Sequence, residues 1–205
     1  MKNTTIYQNN DYLVNSQGML IDYKYDDFVS VIKPYRLYRF LTDLEDVIKT
    51  EVNQEEIIKL LIPKVRTLLI ESEWLQFAYT PAHNQLGWSV NTLYEEPDYP
   101  ITIQMVTWLP QQKSPIHNHA TWGIVAIISG AEKNTFWHES NEESSLDYMG
   151  EKILLAGDIL GFTDQMIHQV EVIEDEPVIS FNVYGITNFS QRFEFDLINK
   201  TKKLF

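Results

Sequence analysis

The amino-acid sequence predicts a mainly β protein, a barrel or sandwich, with an α-helical extension at its N-terminus. From Trp88 onward, apolar residues alternate with polar ones or form short buried runs between turn-forming residues. Before that point, apolar residues recur at helical spacing. A length of 205 residues with 44% hydrophobic content suits one packed domain. We therefore expect a single domain over 1–205, with helices over about 1–80 and a barrel over about 86–205.

The helical extension carries three helix-start signals. Thr42 is followed three residues later by Glu45, and Asn53 by Glu56, which are two capping-box patterns. Pro63 precedes the run KVRTLLIES, and proline is best tolerated in the first turn of a helix, where its missing N–H is not needed. We expect helices to begin at each of these three places.

The second part of the chain consists of consecutive short apolar segments. They are ITIQMVTWL, WGIVAIIS, NTFWH, KILLA, QVEVI, PVISFNVYG and RFEFDLI. No helical pattern separates them, which favours an all-β barrel or sandwich. No linker between the two parts is evident, so the helices are expected to pack on the barrel.

Composition excludes several kinds of partner and site. The net charge of -13 would repel phosphate backbones and anionic lipid surfaces, and no run of Lys or Arg offsets it. The chain has no cysteine, which excludes disulfides and thiolate ligands, so a metal must be held by histidine and oxygen. Apolar runs such as IVAII are too short to span a bilayer, and the N-terminus lacks the apolar region of a signal peptide. A cytoplasmic protein that binds neither nucleic acid nor membranes is expected.

The segment SPIHNHATWG places two of the five histidines two residues apart. On a strand, His117 and His119 would point to one face roughly 6.5–7 Å apart, where two imidazoles can converge on one ion. The buried run that follows is bracketed by Gly123 and Gly130, which allow close backbone approach. A solvent-facing pair is the ordinary alternative for an isolated His-x-His, but these neighbours favour a metal site.

A metal at this pair needs a third ligand, and His168 is the candidate. It follows a turn at Gly157-Asp158 and precedes the resumed strand QVEV. A single histidine in such a place is more often structural, but the existing pair makes it the natural completion of a three-His site. His83 lies in a loop-like segment and His138 at the end of a strand, so neither is expected to take part.

Together these residues resemble the two sequence motifs of the cupin family. The first motif is similar in His-x-His and Gly130, and the second in Gly157-Asp158 and His168. The resemblance implies a double-stranded β-helix, the jelly-roll barrel of that family, built around a metal. Positions that depart from the motifs are Gln111 for the usual Gly, Gly123 for the usual Glu, and Thr163, Gln165 and Val172 for the usual Pro, Gly and Asn.

Gly123 at the customary glutamate position removes the carboxylate ligand and leaves three neutral imidazoles. This ligand set, with the pattern over roughly residues 70–205, resembles the thiol dioxygenases within the cupins, namely the cysteine and 3-mercaptopropionate dioxygenases and especially their bacterial branch. SFNVYG resembles the Ser-x-His-x-Tyr segment of those enzymes, with Asn182 at the histidine position. The resemblance implies that Ser180, Asn182 and Tyr184 lie beside the metal.

Strand alternation alone leaves two interpretations of this segment. Ser180, Asn182 and Tyr184 share one face, which either meets solvent or lines a polar cavity inside the barrel. The resemblance favours the cavity. In that case Tyr184 donates its O–H toward the substrate, and Ser180 and Asn182 orient it by hydrogen bonding.

Two further places bear on substrate choice. Arg192 aligns, by its spacing to the closing Phe195-Asp196, with an arginine that the mercaptopropionate branch places near the active site, although a surface position is the alternative. The strand GWSVNTLY carries no arginine and offers only Ser89 and Asn91 for substrate contact. A thiol acid is therefore expected to be a better substrate than cysteine, whose amino group finds no evident carboxylate partner.

The resemblance implies an Fe(II)-dependent dioxygenase that converts a small thiol carboxylate and O₂ to a sulfinate. Three histidines and a water are also a catalytic zinc arrangement, so a zinc hydrolase or hydratase is an alternative. A non-catalytic cupin that binds a small molecule is another. The expected partners are a small thiol and O₂, and the sequence does not indicate an oligomeric state.

Overall fold

A computed structural model of the protein describes residues 10–24, 34–83, 85–140 and 145–205. Within these ranges two α-helices, α1 (Leu37–Thr50) and α2 (Gln54–Glu71), lie against one face of a pair of packed sheets. After the helices, a continuous succession of strands begins at Trp88, where the spacing of apolar residues in the sequence changes from helical to strand-like. No helix in the described ranges is long and apolar enough to cross a membrane.

The described strands form one sheet of seven and one of six. In spatial order the first contains β2 (Leu20–Tyr23), β1 (Asp11–Val14), β9 (Ile159–Phe162), β6 (Gly123–Ser129), β11 (Val178–Tyr184), β4 (Tyr99–Trp108) and β3 (Trp88–Glu96). The second contains β13 (Thr201–Leu204), β12 (Phe193–Asp196), β5 (Ile116–Asn118), β10 (Ile167–Val172), β7 (Ala131–Glu139) and β8 (Leu146–Leu155).

The chain crosses repeatedly between the two sheets. Strands β4, β6, β9 and β11 belong to the first sheet, whereas β5, β7, β8 and β10 belong to the second. This alternation winds the strands around a common interior as a double-stranded β-helix, which confirms the predicted fold class. It also sets β5 antiparallel to β10, with His117 directly opposite His168.

The N-terminal part is not wholly helical, which corrects the sequence-based expectation. Strand β1 runs parallel to β9 and antiparallel to β2, so residues 11–23 extend the first sheet. All four residues of β1 are buried, because Leu13 faces the helices while Tyr12 and Val14 face the barrel interior. A short strand buried on both faces shows neither helical nor alternating spacing. Residues 1–9 and 25–33 of the predicted extension lie outside the described ranges.

Helix α2 fixes the helical layer to the barrel at close range. Ile58 of α2 lies over Gly161 of β9, where an added Cβ would approach the Ile58 side chain to 2.2 Å. Only glycine permits that approach. Arg66 of α2 pairs with Asp11 of β1 and donates to the Gly157 carbonyl at 3.0 Å, so the same helix also holds the sheet edge.

Pro63 does not start a new helix, contrary to the sequence-based expectation. It lies inside α2, where it cannot donate to the carbonyl of Lys59, four residues earlier. The hydroxyl of Tyr23, on β2, donates to that carbonyl at 2.9 Å. The N-terminal hairpin thus supplies the hydrogen bond that proline removes.

One of the two predicted helix starts is confirmed, without the reciprocal bond of a capping box. Asn53 caps α2 and its side chain accepts from the backbone N–H of Glu56 at 3.2 Å, whereas the Asn53 N–H donates to Oε1 of Glu51 at 2.8 Å. Thr42 instead lies inside α1, where its hydroxyl donates to the carbonyl of Tyr38 at 3.1 Å, so that prediction is wrong. A threonine followed by a glutamate occurs in helix interiors as well, where the hydroxyl bonds backward along the helix.

Candidate metal centre

Three histidines converge between the two sheets. His117 lies on β5, His119 directly follows that strand, and His168 lies on β10 opposite His117. One ligand nitrogen from each lies within 4.8 Å of the others, and no Asp, Glu or Cys in the described part of the chain joins this cluster. The structure therefore brings together the three residues that the sequence predicts as metal ligands.

In the imidazoles of His117 and His168, hydrogen bonds determine which ring nitrogen is available to bind a metal. Nδ1 of His117 lies 3.0 Å from the Pro115 carbonyl, and Nδ1 of His168 lies 2.8 Å from Oδ1 of Asn134. Both acceptors require Nδ1 to carry the proton, so Nε2 of each ring keeps its lone pair. These bonds are the outer contacts that orient metal-ligating histidines.

The third ring is held by aromatic packing. His119 stacks on Tyr184 with ring centroids 5.1 Å apart and an interplanar angle of 22°, and the ring of Phe162 lies 5.2 Å from His119 and 6.3 Å from Tyr184. Its Nε2 lies 3.1 Å from Nε2 of His168. Two nitrogens about 2.1 Å from one ion and at right angles to each other lie about 3.0 Å apart, so this spacing fits a shared metal.

The chemistry of the cluster fits a divalent transition metal. Burial lowers the pKa of the His117 imidazole, and burial together with neighbouring rings lowers those of His119 and His168 well below their usual range. The rings are therefore neutral near pH 7, the state in which imidazole binds a metal. Neutral nitrogen ligands suit Fe, Zn, Cu and Ni, in contrast to the oxygen ligands preferred by Mg²⁺ and Ca²⁺.

Gly123 leaves no room for a fourth protein ligand at its position. A Cβ on Gly123 would lie 2.4 Å from Cζ of Phe162 and 2.9 Å from Cδ1 of Tyr184. The two aromatic rings thus fill the volume that a carboxylate side chain would need. The departure from the cupin pattern at this residue is matched by the packing around it.

The histidines open into a cavity of about 510 Å³ between the sheets. Its apolar wall includes Trp88 and Val90 of β3, both about two-fifths exposed, and Trp108 of β4. The other walls carry polar side chains from β7, β11 and β12. A cavity with apolar walls and a few convergent polar groups is the usual form of a small-molecule site.

The inner face of β11 carries a ladder of polar side chains into this cavity. Nδ2 of Asn182 donates to Oγ of Ser180 at 3.0 Å, and the Tyr184 hydroxyl lies 3.5 Å from Oδ1 of Asn182. All three residues line the cavity. Burial, with the negative charge of Glu132 as a second cause, raises the pKa of Tyr184 well above its usual range, so its O–H remains a donor.

Arg192 also lines the cavity and is half-buried. Its guanidinium lies over the ring of Phe205, 4.3 Å from the centroid, and Phe205 in turn stacks on His117 at 5.6 Å. Nε of Arg192 is buried without a hydrogen-bond partner. Among the described residues no carboxylate forms an ion pair with Arg192, whereas its neighbour Glu194 pairs with Lys203 at 2.7 Å.

Ser89 and Asn91 do not reach the cavity, which corrects the expectation of substrate contact there. Oγ of Ser89 donates to the Thr80 carbonyl at 2.5 Å, and Nδ2 of Asn91 donates to the Ala78 carbonyl at 2.7 Å. Both side chains therefore hold the segment that precedes β3. Because sides alternate along a strand, the residues of β3 that line the cavity are Trp88 and Val90.

His83 and His138 lie outside the cluster of three histidines, as the sequence predicts. His83 is exposed, and its Nδ1 accepts from the backbone of Gln85 at 3.3 Å. Nδ1 of His138 lies 2.8 Å from the carbonyl of Glu139.

Two polar residues of the site were not found from the sequence. Glu132 and Asn134, on β7, are 4% and 1% exposed, and Nδ2 of Asn134 donates to Oε1 of Glu132 at 2.9 Å. They share the inner face of β7 with Phe136. That shared face was the available signal, since polar residues in phase with a buried phenylalanine indicate a polar interior.

Comparisons with known proteins give distant structural likenesses. No protein-family model matches the chain. It is similar to an oxalate oxidase in complex with the substrate analogue glycolate (13% identity, 54% of this chain and 58% of that one, TM-score 0.41). It is also similar to a cupin superfamily protein from Desulfitobacterium hafniense (13% identity, 55% and 87%, TM-score 0.42). The chain is also similar to a Klebsiella pneumoniae protein with a double-stranded β-helix domain. The identity is 19%, the match covers 56% of this chain and 83% of that one, and the TM-score is 0.42. At these values none of them assigns a chemistry to this chain.

Proposed function

We propose that the protein is an Fe(II)-dependent dioxygenase that oxidises a small thiol carboxylate, of the 3-mercaptopropionate or cysteine type, to its sulfinate. The observation that carries the proposal is a cluster of three neutral imidazoles that no carboxylate of the described residues joins as a ligand. These ligands leave the full positive charge of a divalent metal uncompensated, so an anionic substrate such as a thiolate is favoured. When bound, Fe(II) supplies open coordination positions and the redox capacity that O₂ chemistry needs.

The overall reaction balances without a further reductant. A thiolate and O₂ give a sulfinate, RS⁻ + O₂ → RSO₂⁻, so both oxygen atoms are transferred to sulfur and sulfur supplies the electrons. The protein needs neither a reducing cosubstrate nor a cysteine of its own. The reaction is therefore compatible with a chain that has no cysteine.

The cavity residues have distinct tasks in this proposal. Arg192, whose Nε is buried and which has no carboxylate partner among the described residues, binds the substrate carboxylate. Tyr184 donates its O–H to the substrate at the metal, while Asn182 and Ser180 hold the strand face that carries it. Trp88 and Trp108, with ring centroids 6.3 Å apart, exclude water from the apolar wall.

Metal content and oxygen uptake test the proposal directly. Protein purified and reconstituted with Fe(II) is assayed for O₂ consumption with 3-mercaptopropionate, cysteine, cysteamine and 2-mercaptoethanol, and the products are identified by mass spectrometry. We expect O₂ and thiol to disappear in equal amounts and a sulfinate to form. Bound zinc with no oxygen uptake would support the zinc hydrolase alternative, and iron without oxygen uptake would support a binding protein.

A further inference from the structure

Glu132 is a buried carboxyl group in the cavity wall, and the chemistry above leaves it unused. We propose that Glu132 binds the ammonium group of the substrate, so that this cavity favours thiols that carry an amino group. This inference rests on the proposed function, whose substrate class it narrows. It also revises the sequence-based expectation that the amino group of cysteine finds no carboxylate partner.

The contacts of Glu132 leave one side of its carboxyl group open. Oε1 accepts from Nδ2 of Asn134 at 2.9 Å, and no described residue donates to Oε2. The side chain is 4% exposed and lines the same cavity as the three histidines. Since Asn134 also contacts His168, this carboxyl group is separated from a metal ligand by a single amide side chain.

No cation of the described part of the chain neutralises Glu132. The adjacent Lys133 points to the other face of β7 and pairs with Glu171 at 2.9 Å. Lys152, on the neighbouring strand β8, lies over the ring of Tyr12 at 4.3 Å. The basic groups nearest in the sheet are therefore engaged elsewhere, and a positive partner for Glu132 must come from a ligand.

Burial without a cation has a measurable consequence for this group. Burial raises the pKa of Glu132 from 4.5 to about 7, and the hydrogen bond from Asn134 only partly offsets this. A carboxylate in such a site is poorly stabilised until an opposite charge arrives. An ammonium group that enters the cavity would supply that charge and a charge-assisted hydrogen bond.

Charge is distributed unevenly around the histidine cluster. Arg192 brings positive charge to the cavity wall, where its guanidinium lies over the ring of Phe205, 4.3 Å from the centroid. Glu132 brings negative charge, which with burial raises the pKa of Tyr184. A neutral thiol uses neither group, an acid uses the first and an amine uses the second, so the two residues discriminate between substrates independently.

Cysteamine and 2-mercaptoethanol are matched probes, because they differ only in an ammonium in place of a hydroxyl group. Their dissociation constants are measured by calorimetry without oxygen in the Fe(II)-loaded wild type and in E132Q. Glutamine keeps the size of the side chain and an oxygen for Asn134 but removes the charge. We expect the wild type to bind cysteamine at least about tenfold more tightly, the effect of one charge-assisted hydrogen bond, and E132Q to bind both probes equally. 3-Mercaptopropionate, which has no ammonium group, is the control and should bind E132Q no more weakly than the wild type.

The outcomes separate this inference from the proposed function. A wild type that binds cysteamine no more tightly than 2-mercaptoethanol overturns the ammonium site, whatever its turnover. The same holds if E132Q keeps the full preference for cysteamine while its circular dichroism is native. Preferential cysteamine binding without oxygen uptake would retain the ammonium site and overturn the oxidation chemistry.

Discussion

Strand β11 separates two buried spaces that differ in polarity. On its outer face, Phe181 and Val183 are 0% exposed and pack with the helices in an apolar core. On its inner face, Ser180 and Asn182 are 3% and 2% exposed and line the cavity with Tyr184. The two faces are equally buried, so polarity on this strand does not indicate solvent. It marks the wall of a cavity.

The largest expected effect comes from replacing the three histidines on the cavity side. Replacement of His117, His119 or His168 by alanine should abolish stoichiometric iron binding, because two remaining imidazoles cannot enclose an ion in this cluster. Metal content is measured by mass spectrometry after Fe(II) reconstitution. H83A, which changes an exposed histidine outside the cluster, is the control. Retention of one iron per chain in any of the three variants would contradict the ligand assignment.

A pair of substitutions on β11 tests the difference between its faces. Phe181→Ala removes a ring that meets Phe40 edge-to-face at 6.5 Å, and should lower the free energy of unfolding by about 3–5 kcal/mol. Asn182→Ala on the cavity side should lower it by about 1 kcal/mol, since the cavity already contains open volume. Urea titration measures both values. Equal losses would show that the inner face is a packed core like the outer one.

The buried carboxyl group of Glu132, in the cavity wall, should make the stability of the folded protein depend on pH. Its pKa of about 7 in the folded protein lies above its usual value of 4.5, so the folded state binds more protons between these values. The stability of the wild type relative to E132Q should therefore be highest below about pH 4.5 and fall as pH rises to about 7, by on the order of 3 kcal/mol. Denaturant titrations with a chelator present measure this difference. Parallel stability curves for the two proteins would contradict the burial of an uncompensated carboxyl group.

The hydroxyl of Tyr184, on the cavity side of β11, can be tested alone. Tyr184→Phe keeps the ring that stacks on His119 and removes only the O–H. Fold and iron content should be unchanged, while turnover falls about ten- to a hundredfold, as for a hydrogen bond of 1.5–3 kcal/mol made in the transition state. Oxygen uptake under saturating thiol measures the change. Full turnover in this variant would place the Tyr184 hydroxyl outside the reaction.

The smallest expected effect concerns substrate discrimination by Arg192, which also lines the cavity. Arg192→Ala should raise KM for 3-mercaptopropionate about tenfold more than KM for 2-mercaptoethanol, because only the acid loses an ion pair. Arg192→Lys, which keeps the charge without the two-pronged donor, should show an intermediate value. Steady-state oxygen uptake with both thiols measures the ratio. An equal change for both thiols would remove Arg192 from carboxylate binding.

The sequence predicts the histidine cluster and the barrel better than it predicts which strand faces line the cavity. His117 and His119 are singled out by their two-residue spacing, and His168 is the histidine that completes a set of three. Ser89 and Asn91 were assigned to the wrong side, because polar and apolar residues on β3 are both partly exposed and the phase of alternation is ambiguous there. Local composition gives no indication of which side a neighbouring sheet will cover.

Other differences arise from tertiary contacts that local patterns do not contain. Pro63 was expected to begin a helix, but a hydroxyl from β2 compensates for its missing donor. Gln111, where the cupin motif has glycine, adopts the left-handed conformation with a φ of 62°, so the backbone retains what the motif requires although the residue does not. The helix-start signal at Asn53 was read correctly because its hydrogen bond is local.

The parallel pairing of β1 with β9 imposes an order on the assembly of this protein. The backbone N–H of Asn10 donates to Asp158 across 148 residues of sequence, and β1 has its place in the sheet only beside β9 and β2. A ribosome that adds about 5–20 residues per second makes β9 roughly 7 to 30 seconds after β1. The hairpin of β1 and β2 therefore cannot dock until β9 has been made, and until then its apolar strand is exposed to chaperones.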